Sequence, residues 1–194
     1  MSDADRQRWN ARYSNAAATE PSPCQTLVDY AHLLPAGGHA LDLACGRGGN
    51  ALFVARRGLC VEAWDIAANA LAHLQHQADN EALSLSTVVA DLDQTPLPEA
   101  GFDLITVSGF LNRALCPAIS AALRPGGVLL YQTFTQQRPD AGSGPSNPAY
   151  TLEPGELLHL FAELELLLYR EERDAGELTR GLRNQAALIA RRTR

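Results

Sequence analysis

Leu41-Asp42-Leu43-Ala44-Cys45-Gly46-Arg47-Gly48-Gly49-Asn50 is the stretch that decides the fold. An apolar run breaks into a glycine-rich turn, and the residues after it, Asn50 to Arg57, are patterned as a helix closed by Gly58. Strand, glycine turn and helix in that order make a nucleotide cradle. Glycines let the backbone approach a ligand, and the helix N-terminus offers free N–H groups. The next apolar run, Cys60-Val61-Glu62-Ala63-Trp64-Asp65, ends in a carboxylate placed to accept hydrogen bonds from a ribose diol.

Upstream, residues 1–35 are polar and helical in pattern, with Trp9 and Tyr13 on one face. Pro21 and Pro23 break that helix before a second short one, about Cys24 to Leu34, and the first strand runs from about His39 to Ala44. Downstream, Ala67, Ala70, Leu71, Leu74 and Ala78 form a helical stripe. A third strand, Leu85 to Ala90, ends at Asp91, and a fourth, Phe102 to Val107, stops at Ser108-Gly109. A helix carrying Leu115, Ile119, Ala122 and Leu123 ends at Arg124-Pro125-Gly126-Gly127, ahead of a fifth strand from Val128 to Thr133. This alternation predicts crossover connections and a mostly parallel, doubly wound α/β sheet. Thr135 to Leu152 is long for a connection inside a compact domain, which marks a functional lid or a disordered segment. A helix over Glu153 to Ala162 precedes two strands, Leu164 to Arg170 and Gln185 to Ala190, expected to pair antiparallel across a short turn.

Bulk properties narrow the partners. With 194 residues, 46% hydrophobic and 20% charged, the chain fits one globular domain, residues 1–194. A net charge of -6 argues against a long nucleic-acid footprint, which needs clustered cations. All 16 basic residues are arginine, which excludes a Schiff-base lysine and a Walker A lysine. Cys24, Cys45, Cys60 and Cys116 are dispersed, so neither a metal site nor a disulfide framework is expected. The polar start lacks a signal-peptide core, and no apolar stretch approaches the ~20 residues that cross a bilayer. The expectation is a cytoplasmic protein, a monomer or weak dimer, acting on a small molecule.

The glycine turn alone leaves the nucleotide open. Gly46-x-Gly48-x-x-Ala51 fits the dinucleotide fingerprint, in which alanine is allowed at the third place. Against that reading stand Asp42 inside the strand end, Asp91 where it can meet an adenine edge, and the short chain. The segments Leu41 to Gly48, Asp65, Ala90-Asp91-Leu92, Phe102-Asp103-Leu104-Ile105 and Leu123 to Gly127 together resemble the class I S-adenosylmethionine-dependent methyltransferases. The resemblance runs from about residue 39 to the C-terminus. It implies a three-layer Rossmann-like fold, a seven-stranded sheet in the order 3-2-1-4-5-7-6 with strand seven antiparallel, and S-adenosyl-L-methionine as cofactor. It further implies that Gly46 and Gly48 line the methionine moiety, with Asp42 near its amino group. Asp65 would hold the ribose hydroxyls and Ile66 would lie against the adenine, whose amine and ring nitrogen would meet Asp91 and Leu92. Ser108, Gly109 and Phe110 would border the sulfonium and the acceptor.

Tyr13, Asn50, Phe110-Leu111-Asn112-Arg113, Leu152 to Leu157 and Gly176-Glu177-Leu178 are similar to the tellurite-resistance branch, itself akin to the thiopurine methyltransferases. That similarity implies an N-terminal lid, residues 1–35, bringing Arg12 and Tyr13 to the cofactor, and a loop, residues 135–152, near the acceptor. One departure is that Thr179-Arg180 stand where tellurite-methylating members carry histidine and arginine. It bears on chalcogen-oxyanion chemistry and not on cofactor binding.

The catalytic candidates are Asn112, Arg113 and Arg180; no metal is expected. Asn112 is equally suited to cap a helix. No side chain evidently serves as a base at the methyl group, so the expected acceptor is already nucleophilic: a sulfur, selenium or tellurium centre, or a carboxylate, with Arg113 and Arg180 as anion contacts. Ser146-Asn147-Pro148-Ala149-Tyr150 follows the fifth strand, not the fourth, which separates it from the Asn-Pro-Pro-Tyr motif of amine methyltransferases. A non-catalytic adenosylmethionine-binding module and, at greater distance, a nucleotide-dependent oxidoreductase are the alternatives.

Overall fold

The computed structural model describes residues 3–14, 21–139 and 144–193. Seven strands form one sheet: β1 (His39–Leu43), β2 (Cys60–Asp65), β3 (Leu85–Val89), β4 (Phe102–Ser108), β5 (Leu123–Phe134), β6 (Glu165–Arg170) and β7 (Gln185–Arg191). Their order is β3-β2-β1-β4-β5-β7-β6. The first five are parallel, and β7 runs antiparallel to both β5 and β6. The expected order and the reversed seventh strand are both found.

The parallel strands read as apolar runs because both faces are covered. On one face Leu41, Leu43, Ile105, Val107, Leu129 and Tyr131 pack with α5 (Cys116–Ala122) and α6 (Glu156–Leu160). On the other, Ala40, Leu104, Val128, Leu130 and Ile189 pack with α2 (Gln25–Asp29), α3 (Gly49–Ala55) and α4 (Ala68–Asn80). Each leucine so buried contributes about 1.5–3 kcal/mol. A polar helix, α1 (Asp3–Ser14), lies on α4, where Asn10 accepts a 3.2 Å hydrogen bond from the Asn69 amide. No helix of the described residues is long and apolar enough to cross a membrane.

Local boundaries differ where backbone geometry overrides pattern. β5 starts at Leu123, not Val128, because Leu123 already pairs with Phe102 ahead of a register shift. α6 is confined to Glu156–Leu160 because Pro154 and the left-handed Gly155 (φ 73°) delay its start. The β6–β7 connection is not a short turn. Residues 171–184 fold around the Arg183 guanidinium, which donates to the carbonyls of Glu172, Arg173, Ala175 and Glu177. One side chain thereby satisfies four carbonyls that no ladder reaches.

The N-terminal segment docks against the start of α3. The Cys24 amide donates to Asn50 Oδ1 at 2.9 Å, and a Cβ at Gly49 would stand 2.2 Å from the Ser22 carbonyl oxygen. Alanine is ordinarily favoured over glycine in a helix. Here the clash decides the sign, at about 1–3 kcal/mol of overpacking. Gly49→Ala is therefore expected to melt a few degrees lower in scanning calorimetry; equal or higher stability would refute this docking.

Candidate cofactor and acceptor site

The turn between β1 and α3 passes through three left-handed residues, Ala44 (φ 52°), Gly46 (φ 54°) and Gly48 (φ 79°). Glycine is needed at two of them for space as well as conformation. A Cβ at Gly46 would lie 2.7 Å from Tyr13 Oη, and one at Gly48 would lie 2.4 Å from both Leu74 methyl carbons. Tyr13 therefore stands over the glycine turn. Arg12 lies on α1, but its side chain is outside the described residues.

Asp65 closes β2 and ties this turn to the next. Its Oδ2 accepts from the Gly46 amide and its Oδ1 from the Ala67 amide, each at 2.8 Å. Burial raises its pKa, and the Ala67, Gly46 and Ile66 amides oppose the rise. Each oxygen keeps a further lone-pair site, so the carboxylate can hold the turn and still accept from a diol. Ile66 and Leu92 are buried, and Asp91, after β3, is half-buried. Burial works against ionisation of Asp91, but the Asp93 amide and nearby positive charge, Arg6 included, hold its carboxyl below the usual range.

Asp42 sits in β1 with 2% exposure. Thr106 Oγ1 donates to its Oδ1 at 2.7 Å, and the Ala51 amide donates to its Oδ2 at 3.1 Å. Burial pushes its pKa up to about 7, against the hydrogen bonds from Thr106, Ala51 and Asn50 and with repulsion from Asp65 added. At the end of β4, Ser108 is half-buried and Gly109 is exposed and left-handed (φ 67°), its amide donating to the Gln132 carbonyl. Burial pushes the Cys24 thiol up to about 11 and the Cys45 thiol well above its ordinary value. Neither is a thiolate that would compete for a methyl group.

The catalytic candidates fare differently from expectation. Arg113 makes a two-pronged ion pair with Glu156 (2.5 and 2.9 Å) and donates to the carbonyls of Ala149 (2.7 Å) and Thr151 (3.0 Å). Its guanidinium is committed to clasping the far limb of the long loop, a correction to the anion-contact expectation. Asn112 Oδ1 caps the following turn through the Ala114 amide, and its Nδ2 donates to Asp93. That is the cap role the sequence also suggested. Arg180 is exposed in the 171–184 segment, which meets the sheet at the rim where β5 ends, since Gln185 pairs with Phe134. The sequence reading missed Thr106 and Arg183, whose hydrogen bonds depend on register and loop path, and their residue types carry no motif.

The glycine turn, carboxylates ending β2 and following β3, and Ser108-Gly109 ending β4 all stand at the carboxyl ends of the parallel strands, around the β1/β4 switch point where such sheets bind ligands. Three carboxylates suit a ligand carrying a sulfonium, an ammonium and a ribose diol, and the cradle fits it. A sheet of this order with this site is that of a class I S-adenosylmethionine-dependent methyltransferase. The chain belongs to the family of the tellurite resistance protein TehB, whose sequence model matches residues 15–190. It is 31% identical over 145 residues to the probable S-adenosyl-L-methionine-dependent methyltransferase TehB of Haemophilus influenzae strain Rd, covering 71% of this chain and 49% of that protein. A malonyl-[acyl-carrier protein] O-methyltransferase of Herminiimonas arsenicoxydans is 30% identical over 145 residues, covering 70% of this chain and 54% of that one. This chain thus spans about half the length of the curated relatives it matches. The crystal structure of TehB from Haemophilus influenzae superposes with a TM-score of 0.71 at 25% identity, covering 97% of this chain and 67% of that chain.

Two outcomes follow from the site. Unfolded, Asp42 ionises near 3.8; folded, it does so near 7. Between those values the folded chain keeps a proton that the unfolded chain has released, so this contribution is full below about pH 4 and is lost as pH rises toward 7. Urea unfolding should show wild type losing stability relative to Asp42→Asn up to about pH 7 and tracking it above. A pH-independent difference would contradict the raised pKa. For the clasp, Arg113→Ala should speed limited proteolysis between residues 144 and 156; an unchanged cleavage pattern would show that Arg113 does not hold this limb.

Proposed function

We propose that this chain transfers the methyl group of S-adenosylmethionine to a small-molecule acceptor, acting as a single unit with α1 as its lid. The observation that carries this reading is the paired clamp of Asp65 on Gly46 and Ala67 beside the Asp42–Thr106 contact. It brings the ribose-side and methionine-side residues together at the switch point. Gly46, Gly48 and Asp42 would face the methionine moiety, Asp65 the ribose, Ile66, Asp91 and Leu92 the adenine, and Ser108 and Gly109 the sulfonium side, with Tyr13 and Arg12 above. When bound, the cofactor supplies a methyl group on a sulfonium, which an acceptor lone pair takes while the bonding pair returns to sulfur.

The protein's own part is alignment and exclusion of water, worth several kcal/mol. Among the described residues no histidine is placed to act as a general base. Of the five histidines, His39 opens β1 at the opposite end of the sheet, and His32, His73, His76 and His159 are exposed on helical segments. Asp42 is locked by its own hydrogen bonds. These facts support an acceptor that is nucleophilic without help: a sulfur, selenium or tellurium centre, or a carboxylate. Arg180 would be an exposed cation near the acceptor rim.

Thermal unfolding with S-adenosylhomocysteine tests the reading. At about 100-fold over the dissociation constant, binding adds about 2.7 kcal/mol, a rise of roughly 5–11 °C for a chain of this size. Asp65→Ala should abolish the ligand-induced rise, whatever it does to the unliganded melting point. A rise with a nicotinamide dinucleotide and none with adenosyl ligands would replace the methyltransferase with an oxidoreductase. Binding without label transfer to any acceptor would favour a non-catalytic module.

A further inference from the structure

The sheet ends in two edge strands, β3 and β6, and the chain treats them differently. Along β3, the Gln75 side chain of α4 donates to the Leu85 carbonyl at 3.2 Å and accepts from the Thr87 amide at 3.1 Å. One side-chain amide thus covers the middle of that edge as a neighbouring strand's peptide group would. β6 has no such cover. Its backbone pairs with β7, and among the described residues no other hydrogen bond reaches the backbone of Glu165 to Arg170. Its outer N–H and C=O groups therefore form a template for another strand.

The side chains of β6 add to this. None of the six is buried, and Leu166 is 51% exposed and Leu167 37%. Leu167 is the extra residue of a bulge opposite β7. Bulges, lysines and prolines ordinarily keep edges from pairing. Here the bulge adds an exposed leucine, and it interrupts the edge at its middle, away from the two charged ends. Those ends are opposite in sign, since Glu165 opens the strand and Arg170 closes it. An in-chain partner steadies each charge: Arg191 bonds Glu165 at 2.7 Å, and Glu172 bonds Arg170. Both side chains keep further hydrogen-bonding capacity toward a neighbour.

We propose that β6 is a self-association edge, at which two copies of this chain pair their β6 strands antiparallel and join two seven-stranded sheets into one. A two-fold axis across the middle of the strand reverses one copy against the other. Each Glu165 then meets the partner's Arg170, and the exposed leucines of each copy are covered by the apolar stretch of the other. Opposite charges directly across a strand pair stabilise it, whereas a parallel pairing in register would set acid on acid and arginine on arginine. The match of the strand to its own reversal is what selects a second copy over a foreign strand. β5 and β7 lie between this edge and the strands that carry the cofactor residues, so pairing leaves the cofactor site open. Six residues a side make a seam at the small end of specific interfaces, so the expected dissociation constant is on the order of 10–100 µM.

The test is analytical ultracentrifugation of the 194-residue chain at low salt, over about 5 to 500 µM. Wild type should pass from monomer to dimer across that range. Glu165→Arg and Arg170→Glu should each weaken association by roughly tenfold or more, because two like-charge contacts replace two opposite ones. The double reversal, Glu165→Arg with Arg170→Glu, should restore it. That variant loses the in-chain pairs with both Arg191 and Glu172, so the recovery reads only the contact between copies. Leu167→Asp, on an exposed side chain, should weaken association as the single reversals do. Melting followed by circular dichroism shows that each variant is folded. Wild type that stays monomeric at the highest concentration would overturn the proposal and leave the edge to a different protein. Dimers of undiminished strength in both single reversals, or a double reversal no stronger than the singles, would overturn it as well.

Discussion

The Asp65 carboxylate, shared between the Gly46 and Ala67 amides, is the contact on which the site depends. It joins the turn after β1 to the turn after β2, so two loops that could move separately act as one wall. The glycine turn can reach that carboxylate only because its residues adopt left-handed geometry, which places the Gly46 amide toward β2. The same turn sets the start of α3, where Asn50 receives the Cys24 amide and brings the N-terminal segment across. The electrostatic cost is concentrated here too. Among the described residues Asp42 and Asp65 are buried near one another with no cation between them, and burial pushes both toward their neutral forms. A cationic ligand relieves that cost, which links the strain of the unliganded site to the charge of what it binds.

Arginine, the sole basic residue apart from histidine, is used mainly as scaffolding on the acceptor side. Arg113 clasps Glu156 and two carbonyls, and Arg183 gathers four carbonyls of the β6–β7 segment. Arg173 bonds to Glu171, whose carboxylate also accepts from Tyr169 and from the Gly155 amide ahead of α6. A planar guanidinium with five donors suits this work, because irregular segments leave carbonyls that no strand or helix pairs. The guanidinium groups of Arg113, Arg173 and Arg183 are thereby committed to contacts within the chain.

Most of the architecture was legible in the chain because its signals are local. Apolar runs of strand length, the helical stripe from Ala67 to Ala78, and glycine or proline punctuation each depend on a few neighbours, and they locate all seven strands. The cofactor side was legible for a related reason: it is built on two strand–turn–helix units, where position along the chain nearly equals position in the site. Boundaries were less so. Pro154-Gly155 shortened α6, and pairing with Phe102 pulled β5 back to Leu123.

The sequence by itself determined the strand order, through its resemblance, and the turn whose backbone needs glycine. It also determined the carboxylates that end β2 and follow β3. These are properties of short segments and survive any rearrangement of the rest. Only the tertiary structure decided what the polar side chains of the acceptor side do. Whether Arg113 meets an anion or Glu156 depends on register across strands and on the path of loops far apart in the chain. A side chain's type fixes which hydrogen bonds it can make; the fold alone fixes which partners reach it first.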